Sequence, residues 1–281
     1  MEKIERLEQI ASQVRRDLLR MIHAKNSGHP GGSLGVTDLL TCLYFEVMEH
    51  NPDKFEMEGN GQDLFFLSNG HVSAAWYSVL ARSGYFPIKE LGSFRAIDSR
   101  LQGHPTTAEG LPGIRIASGS LGQGLSVANG AALAKKLNND NKLVYCLMGD
   151  GEIEEGQVWE AALFAQARKI DNLIAFVDFN GQQIDGSTNE VMNLGDISQK
   201  WNAFGWEVME CNGNIMEDLL DTINNAKAKT GNGKPIMVIM KTEMGNGVDF
   251  MMGSHKWHGV APNDEQLENA LSQLDETLGD Y

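Results

Sequence analysis

The feature that most constrains the fold is a series of short, continuously apolar segments separated by segments with helical spacing. The apolar segments are Lys142–Met148 (KLVYCLM), Leu173–Asp178 (LIAFVD) and Pro235–Lys241 (PIMVIMK). Strands that are apolar at every position are typical of parallel sheets with both faces covered. The sequence therefore predicts an α/β fold, with a parallel β-sheet flanked by helices on both faces.

Hydrophobic spacing assigns the other elements. Further strands are predicted at Asp63–Leu67 and Trp206–Met209. The predicted helices are Ile4–Ala24, about Gly35–Met48, 72–83, 87–95, about Gly122–Leu137, Gly156–Lys169, Ile197–Phe204 and Ile215–Ala228. In the 156–169 helix, the expected inward residues are Val158, Ala162, Ala165 and one of Leu163 and Phe164. Loops rich in glycine are expected at 26–33 and 103–113.

Composition indicates a globular chain with an acidic surface. The 281 residues include 23 Lys and Arg against 38 Asp and Glu, and this net charge of −15 argues against nucleic acid or an anionic membrane as a partner. No apolar run approaches the ~20 residues of a membrane span. No composition break divides residues 1–250, so we expect one α/β domain over 1–260 and a helical tail over 261–281.

Two features point to a reducing, cytoplasmic location. The first nineteen residues carry charges throughout and lack the apolar stretch of a signal peptide. The three cysteines, Cys42, Cys146 and Cys211, show no short-spaced pairing and are expected to be buried thiols.

Polar residues follow two of the apolar strands. Gly149-Asp150-Gly151 comes directly after the first, and Asn180 follows the second, 30 positions after Asp150. One strand–helix–strand unit has about this length, so both side chains are expected at the carboxyl edge of the sheet, where open α/β sheets bind ligands. Carboxylate and amide oxygens suit Mg²⁺ or Ca²⁺, and the lack of nearby cysteine or histidine disfavours zinc.

These residues belong to a set of motifs that resembles the transketolase family. The blocks are Ser27-Gly28-His29-Pro30-Gly31-Gly32, Ser68-Asn69-Gly70-His71, Gly103-His104-Pro105, Gly119-Ser120-Leu121-Gly122-Gln123-Gly124, Gly149 to Gly156, Asp178 to Gly186 and Trp257-His258-Gly259. Each block alone is a weak signal. Their order, from residue 27 to 259, is specific to the family, which implies a thiamine-diphosphate-binding fold and its diphosphate-binding domain.

The resemblance implies a ligand set for thiamine diphosphate and for Mg²⁺ (or Ca²⁺). Asp150, Asn180 and the main-chain oxygen of Gln182 would coordinate the metal. The cofactor would contact His71, Gly119, Ser120, Leu121, Gly151, Glu155, Asn180 and His258.

The resemblance also assigns catalytic residues. His29, His104 and His258 would face the reacting carbon and the sugar hydroxyls, and histidine suits proton transfer because its pKa lies near neutrality. Glu155 matches an acid that links two cofactor sites across a dimer interface, and Glu160 matches a second such acid.

For the remaining histidines and acids, plainer roles are expected. His255 could lie near the site or on the surface, and His23 and His50 are expected to be ordinary surface residues. Glu152 and Glu154 are expected to stabilise a helix N-terminus.

The sequence departs from the family pattern in three respects. Ser120 stands where the family has proline, and Gly181 stands where many diphosphate motifs have a second asparagine. The chain also ends without the pyrimidine-binding and C-terminal domains of a transketolase. We therefore expect the N-terminal subunit of a split transketolase, which transfers a two-carbon ketol unit between sugar phosphates with a separate pyrimidine-binding C-terminal subunit, as a heterotetramer.

Three alternatives remain open on sequence alone. One is another thiamine-diphosphate enzyme component, similar to 1-deoxyxylulose-5-phosphate synthase or to a 2-oxo-acid dehydrogenase. Another is a module that binds thiamine diphosphate without catalysis. A nicotinamide-dependent dehydrogenase fits poorly, because a Gly-x-Gly-x-x-Gly motif starting at Gly122 would have Val127 in its last position.

Overall fold

The computed structural model describes residues 2–281 and is built around a five-stranded sheet. Its strands are β1 (Leu64–Leu67), β2 (Val144–Gly149), β3 (Leu173–Phe179), β6 (Glu207–Asn212) and β7 (Ile236–Lys241). They lie in the order β1-β2-β3-β7-β6, and every neighbouring pair is parallel. Two short strands, β4 (Gln182–Gln183) and β5 (Gly186–Ser187), form an antiparallel hairpin after β3. The predicted α/β fold with a parallel sheet is confirmed.

Helices flank the sheet. They are α1 (Lys3–Lys25), α2 (Pro30–Gly35), α3 (Thr37–Cys42), α4 (Ser73–Arg82), α5 (Gly124–Leu137), α6 (Gly156–Ala167), α7 (Thr188–Val191), α8 (Ile197–Ala203), α9 (Met216–Ala228) and α10 (Asp264–Ser272). Helix α5 packs on β1 and β2, and α9 packs on β6 and β7. Every residue of β2 from Val144 to Met148 is buried, as its continuous apolar run predicts.

The segment from 30 to 47 differs from the single helix predicted near Gly35–Met48. Helix α2 begins earlier, at Pro30, because proline is well suited to a first helical turn. A Cβ on Gly31 would lie 2.6 Å from Cγ of Met244. This glycine is therefore required by close packing, although it resembles a loop residue in the sequence. Helix α3 follows and ends in a π-helical turn at Leu43–Val47.

Two other helix predictions need correction. The helix predicted at 87–95 is a 3₁₀ segment, Ile88–Ser93. In α6, both Leu163 and Phe164 are exposed, by 57% and 41%. The inward stripe of α6 consists instead of Val158 and alanines, because α6 packs closely on α5, where the Asn129 amide donates to the Ala161 carbonyl at 2.9 Å.

The last part of the chain packs against α1. The Arg16 guanidinium binds the Asp280 carboxylate at 2.8 Å and donates to the carbonyls of Leu271 and Leu274. The Gln13 amide nitrogen also donates to Asp280, at 2.9 Å. These bonds hold α10 and the residues after it on the N-terminal helix.

All three cysteines are free and buried. Burial raises the thiol pKa of Cys42 and Cys146 far above its ordinary value, and that of Cys211 to about 12. The expectation of buried thiols is confirmed.

None of the helices within residues 2–281 is both long and apolar enough to span a bilayer.

Candidate functional site

The loops after β1, β2, β3 and β7 meet at one edge of the sheet. Gly149, the last residue of β2, pairs in register with Asp178 of β3. Asp150 and Asn180 therefore follow neighbouring parallel strands, as the sequence predicts. The Asp150 carboxylate accepts hydrogen bonds from the backbone N–H groups of Gly151 at 2.8 Å and Gly181 at 2.7 Å, and so joins the two loops.

A second acid, Asp178, lies beneath this edge and was not singled out from the sequence. It is buried and accepts hydrogen bonds from the Asn180 amide nitrogen at 3.0 Å and from the Thr242 hydroxyl. The Asn180 side-chain oxygen accepts from the Gln182 N–H at 2.9 Å. Burial raises the pKa of Asp178 to about 6, and burial together with the charge of Asp178 raises that of Asp150 to about 7.

A cavity of ≈ 290 Å³ opens at this edge. Of the predicted metal and cofactor residues, the cavity lining contains Asp150, Asn180, Gln182, His71, Gly119, Leu121, Gly151 and His258. His29, a predicted catalytic residue, also lines it. His104, Ser120 and Glu155 are exposed and lie outside this lining, although His104 packs against Gly119.

Four histidines that are far apart in the sequence form a cluster at the cavity. The ring centroid of His29 lies 5.2 Å from that of His71, 5.7 Å from that of His258 and 6.2 Å from that of His104. His71 stacks on His258 with their centroids 5.1 Å apart. The structure thus brings together the four histidines that the motifs singled out.

Burial favours the neutral form of all four imidazoles, and nearby positive or histidine side chains add to it at three of them. Burial, with His258, Arg95 and His104 adding to it, lowers the pKa of His29 to about 4. Burial also lowers the pKa of His71 and His258, and partial loss of solvent together with the charge of Arg95 lowers that of His104. At neutral pH each ring can therefore accept a proton at one nitrogen and donate one at the other.

Glu152 has a different role from the one predicted. It is buried rather than solvated at a helix N-terminus. Its carboxylate accepts hydrogen bonds from the Ser68 hydroxyl, the Gly122 N–H at 2.8 Å and the Gly149 N–H at 3.0 Å. It joins three segments of the site, and the sequence gives no sign of this because two of its partners, Ser68 and Gly122, lie 84 and 30 positions away in the chain.

The other acids and histidines that were singled out lie around the site or away from it. Glu155, the residue before α6, and Glu160 of α6 are both exposed, and Glu154 accepts a hydrogen bond from the Gln183 amide. His50 is not an ordinary surface residue, because it stacks on Tyr85 and bonds the Tyr44 carbonyl at 2.8 Å. Two further histidines are partly buried: His23 binds Asp264 at 2.8 Å, and His255 lies in the 3₁₀ segment with His258.

The cavity fits a diphosphate cofactor with a divalent metal. Its lining, within residues 2–281, has no lysine or arginine but includes the carboxylates of Asp150, Glu152 and Asp178. An anionic ligand would need a cation beside these acids, and the oxygen donors there are of the kind that Mg²⁺ and Ca²⁺ prefer.

Unpaired polar atoms at the cavity fit a ligand as well. Nδ1 of His29, Nδ1 of His258 and both amide atoms of Asn69 are buried without a hydrogen-bond partner in residues 2–281. Buried polar atoms normally have partners. Within residues 2–281, no group of three or more His, Cys, Asp or Glu side chains is placed to bind a metal ion. The metal ligands expected from the motifs are different, because they combine one carboxylate, that of Asp150, with the oxygens of Asn180 and Gln182.

A family model and several known proteins are similar to this chain. A family model described as the thiamine diphosphate binding domain of transketolase matches residues 7–277. The chain is 39% identical over 276 residues to a protein of Phocaeicola vulgatus that is named as one subunit of an apulose-4-phosphate transketolase, and the match covers 98% of this chain and 96% of that protein. It is 38% identical to the 6-deoxy-6-sulfo-D-fructose transketolase subunit of Clostridium sp. (strain MSTE9), over 96% of each.

A solved structure shares the same fold over the whole chain. The transketolase from Leishmania mexicana superposes with a TM-score of 0.89 at 30% identity, and the match covers 100% of this chain but 43% of that one. This chain thus spans about two fifths of the solved transketolase chains it matches. The chain belongs to the transketolase family and contains that family's thiamine-diphosphate-binding domain.

Proposed function

We propose that this chain is the thiamine-diphosphate-binding subunit of a transketolase made from two kinds of chain. The reaction is the transfer of a two-carbon ketol unit from a ketose phosphate to an aldose phosphate. The observation that carries the proposal is that three histidines of the cluster, His29, His71 and His258, line one cavity together with the Asp150–Asn180 edge. Residues 1–260 form the diphosphate-binding domain, and residues 261–281 form the tail that packs on α1.

The metal and the cofactor have assigned ligands in this proposal. Asp150, Asn180 and the main-chain oxygen of Gln182 hold Mg²⁺ or Ca²⁺. The residues that hold the cofactor are His71, His258, Gly119, Ser120, Leu121, Gly151, Asn180 and Glu155. Bound thiamine diphosphate supplies the carbanion chemistry, and the protein supplies its orientation and electrostatics.

The histidines act on the sugar. His29, His104 and His258 are neutral at pH 7, so each can take a proton from a substrate hydroxyl or return one. Their packing around His29 holds the rings in fixed directions, and fixed directions are what make proton transfer efficient.

A partner chain supplies the pyrimidine-binding domain in this proposal. Two curated relatives of nearly the same length are each named as one lettered subunit of an apulose-4-phosphate transketolase, which supports a separate chain with the pyrimidine-binding domain. We assign a heterotetramer in which Glu155 and Glu160, both exposed, lie at the contact between two copies. We place the enzyme in the cytoplasm and in sugar-phosphate metabolism of the pentose phosphate type.

Reconstitution tests the proposal. The chain, a C-terminal transketolase subunit from the same genome, and the two together are assayed with thiamine diphosphate and Mg²⁺, using a ketose phosphate or pyruvate as donor. We expect ketol transfer only from the mixture and only with the ketose phosphate. Turnover by the chain alone would contradict the two-chain assignment. Use of pyruvate would favour another thiamine-diphosphate enzyme, and cofactor binding without turnover on either donor would favour a non-catalytic module.

The metal site predicts a binding defect. Asp150→Asn removes the single carboxylate of the ligand set, so thiamine diphosphate should bind at least about 100-fold more weakly in the presence of Mg²⁺. Isothermal titration calorimetry of the purified chain measures this without any assay of turnover. Asp185→Asn is the matched control, because Asp185 is exposed in the same region. Equal affinity in both variants would remove Asp150 from the metal site.

A further inference from the structure

Arg95 has an unusual conformation beside the histidine cluster. Its φ is 53°, in the left-handed region that few residues other than glycine adopt. None of the ion pairs within residues 2–281 includes it, although its loop neighbour Arg100 binds Glu90 at 2.9 Å. Its Nε is buried without a partner in the same part of the chain, and burial lowers its pKa. Strained and uncompensated groups of this kind concentrate at functional sites.

The guanidinium bridges the two loops that carry His29 and His104. One terminal nitrogen donates to the Ser27 hydroxyl at 2.9 Å, two residues before His29. The other donates to the Gly103 carbonyl at 3.4 Å, one residue before His104. A Cβ on Gly103 would lie 2.7 Å from Cζ of Arg95, so glycine is needed there for the guanidinium to lie across the loop.

The positive charge acts on both rings. After burial, the charge of Arg95 is among the causes that lower the pKa of His29, and it is the second cause that lowers the pKa of His104. The other titratable groups that face these rings are histidines, namely His71 and His258, and Tyr77 faces Arg95 itself. These neighbours supply no negative charge that would cancel the effect of Arg95.

We propose that Arg95 is a positioning residue that holds His29 and His104 in a fixed relation and places a permanent positive charge beside both rings. Arginine suits this task because its planar fork makes two directed hydrogen bonds and keeps its charge at any physiological pH. The effect of Arg95 on turnover depends on the proposed function. The effect of Arg95 on the imidazoles of His29 and His104 is a property of this chain alone.

The test separates these two effects. Histidines of the purified chain are labelled with ¹⁵N and titrated by NMR in the wild type, Arg95→Gln, Arg95→Met and Arg100→Gln, with circular dichroism as a check of folding. In the neutral Arg95 variants, His29 and His104 should both titrate at a higher pH than in the wild type, because a nearby like charge has been removed. The protonated fraction of His29 at pH 5 should rise roughly two- to threefold. Arg100→Gln removes the same charge from the same loop and should leave both titrations unchanged.

The reconstituted enzyme supplies the second readout. The acid limb of the pH profile should move to higher pH in Arg95→Gln. Arg95→Lys should return the acid limb of the pH profile to its wild-type position, because lysine keeps the charge. It should recover only part of kcat, because lysine loses the paired hydrogen bonds to Ser27 and Gly103. Unchanged histidine titrations in folded Arg95 variants, or equal shifts in Arg100→Gln, would overturn the proposal. If the titrations shift while no donor is turned over, the proposed function fails and the electrostatic role of Arg95 stands.

Discussion

Among single residues, Glu152 holds several segments of the site together. Its carboxylate joins the loop after β1, the turn before α5 and the end of β2. The Ser68 hydroxyl that donates to it also accepts the Gly124 N–H at 2.9 Å. The five groups form one buried hydrogen-bonded unit, and losing one member leaves others unpaired.

Glu152→Gln should therefore destabilise the fold. An amide nitrogen would replace one acceptor oxygen and face an N–H donor or a hydroxyl. We expect the free energy of unfolding to fall by about 1–3 kcal/mol. Urea denaturation of the purified chain measures the change, and Glu268→Gln, at an exposed position of α10, is the control. A loss no larger than in the control would mean that the buried unit contributes little.

Residue roles differ in how far the sequence reveals them. The histidine cluster could be predicted because each ring adjoins a glycine in a motif of known order, as at His71 and His258. Glu152 could not, because its partners at Ser68 and Gly122 are 84 and 30 positions away and nothing local distinguishes a buried acid from a helix-capping one. Arg95 was missed for the same reason.

At the scale of elements, α5 contains two glycines with opposite roles. A Cβ on Gly124 would lie 2.3 Å from Cβ of Ser68, so only glycine lets the helix start so close to the end of β1. A Cβ on Gly130 would meet nothing within 4 Å. Helix propensity favours alanine at both positions, so packing alone separates them.

Alanine at these two positions should thus change the stability of the chain in opposite directions. Gly130→Ala should stabilise the chain by about 0.5–1 kcal/mol through lower entropy of the unfolded state. Gly124→Ala should destabilise it by about 1–3 kcal/mol, because overpacking outweighs the same gain. Thermal denaturation of both variants checks the pair. Equal shifts in melting temperature would show that the close approach at Gly124 is relaxed in solution.

Elements were predictable where a continuous apolar run was clearly bounded. The strands β2, β3 and β7 appear within two residues of their predicted bounds. The error at 30–47 arises because glycine was interpreted as a loop signal, whereas Gly31 allows α2 to approach Met244. Exposure of Leu163 and Phe164 could not be predicted, since apolar spacing alone does not tell which side of α6 faces α5.

At the scale of the whole molecule, the C-terminal tail packs on α1 and so joins the last residues of the chain to the N-terminal helix. Asp280 receives hydrogen bonds from Gln13 and Arg16, and it also pairs with Arg20 at 3.1 Å. The hydrogen bond from Arg16 is the main cause that lowers the pKa of Asp280 to about 2. The contact joins residues more than 260 positions apart, so no local pattern in the sequence predicts it.

This contact predicts a pH-dependent stability. Because the folded pKa of Asp280 is below its ordinary value, its contribution is present above about pH 4 and is lost as the pH falls towards about 2. Asp280→Asn should destabilise the chain by about 1 kcal/mol at pH 7, and the difference from the wild type should shrink between pH 4 and pH 2. Urea denaturation across this range measures it. Asp275→Asn, on the exposed part of the tail, is the control, and a difference independent of pH would contradict the role of the carboxylate.

The burial of Cys42, Cys146 and Cys211 has a practical consequence for studying assembly. In residues 2–281, the folded chain offers no accessible thiol, and the native thiols resist ionisation. A cysteine introduced at exposed Asp185 would thus be the single position that reacts with a maleimide dye. Fluorescence from that position, beside the hairpin that follows β3, would follow the arrival of a second chain in real time.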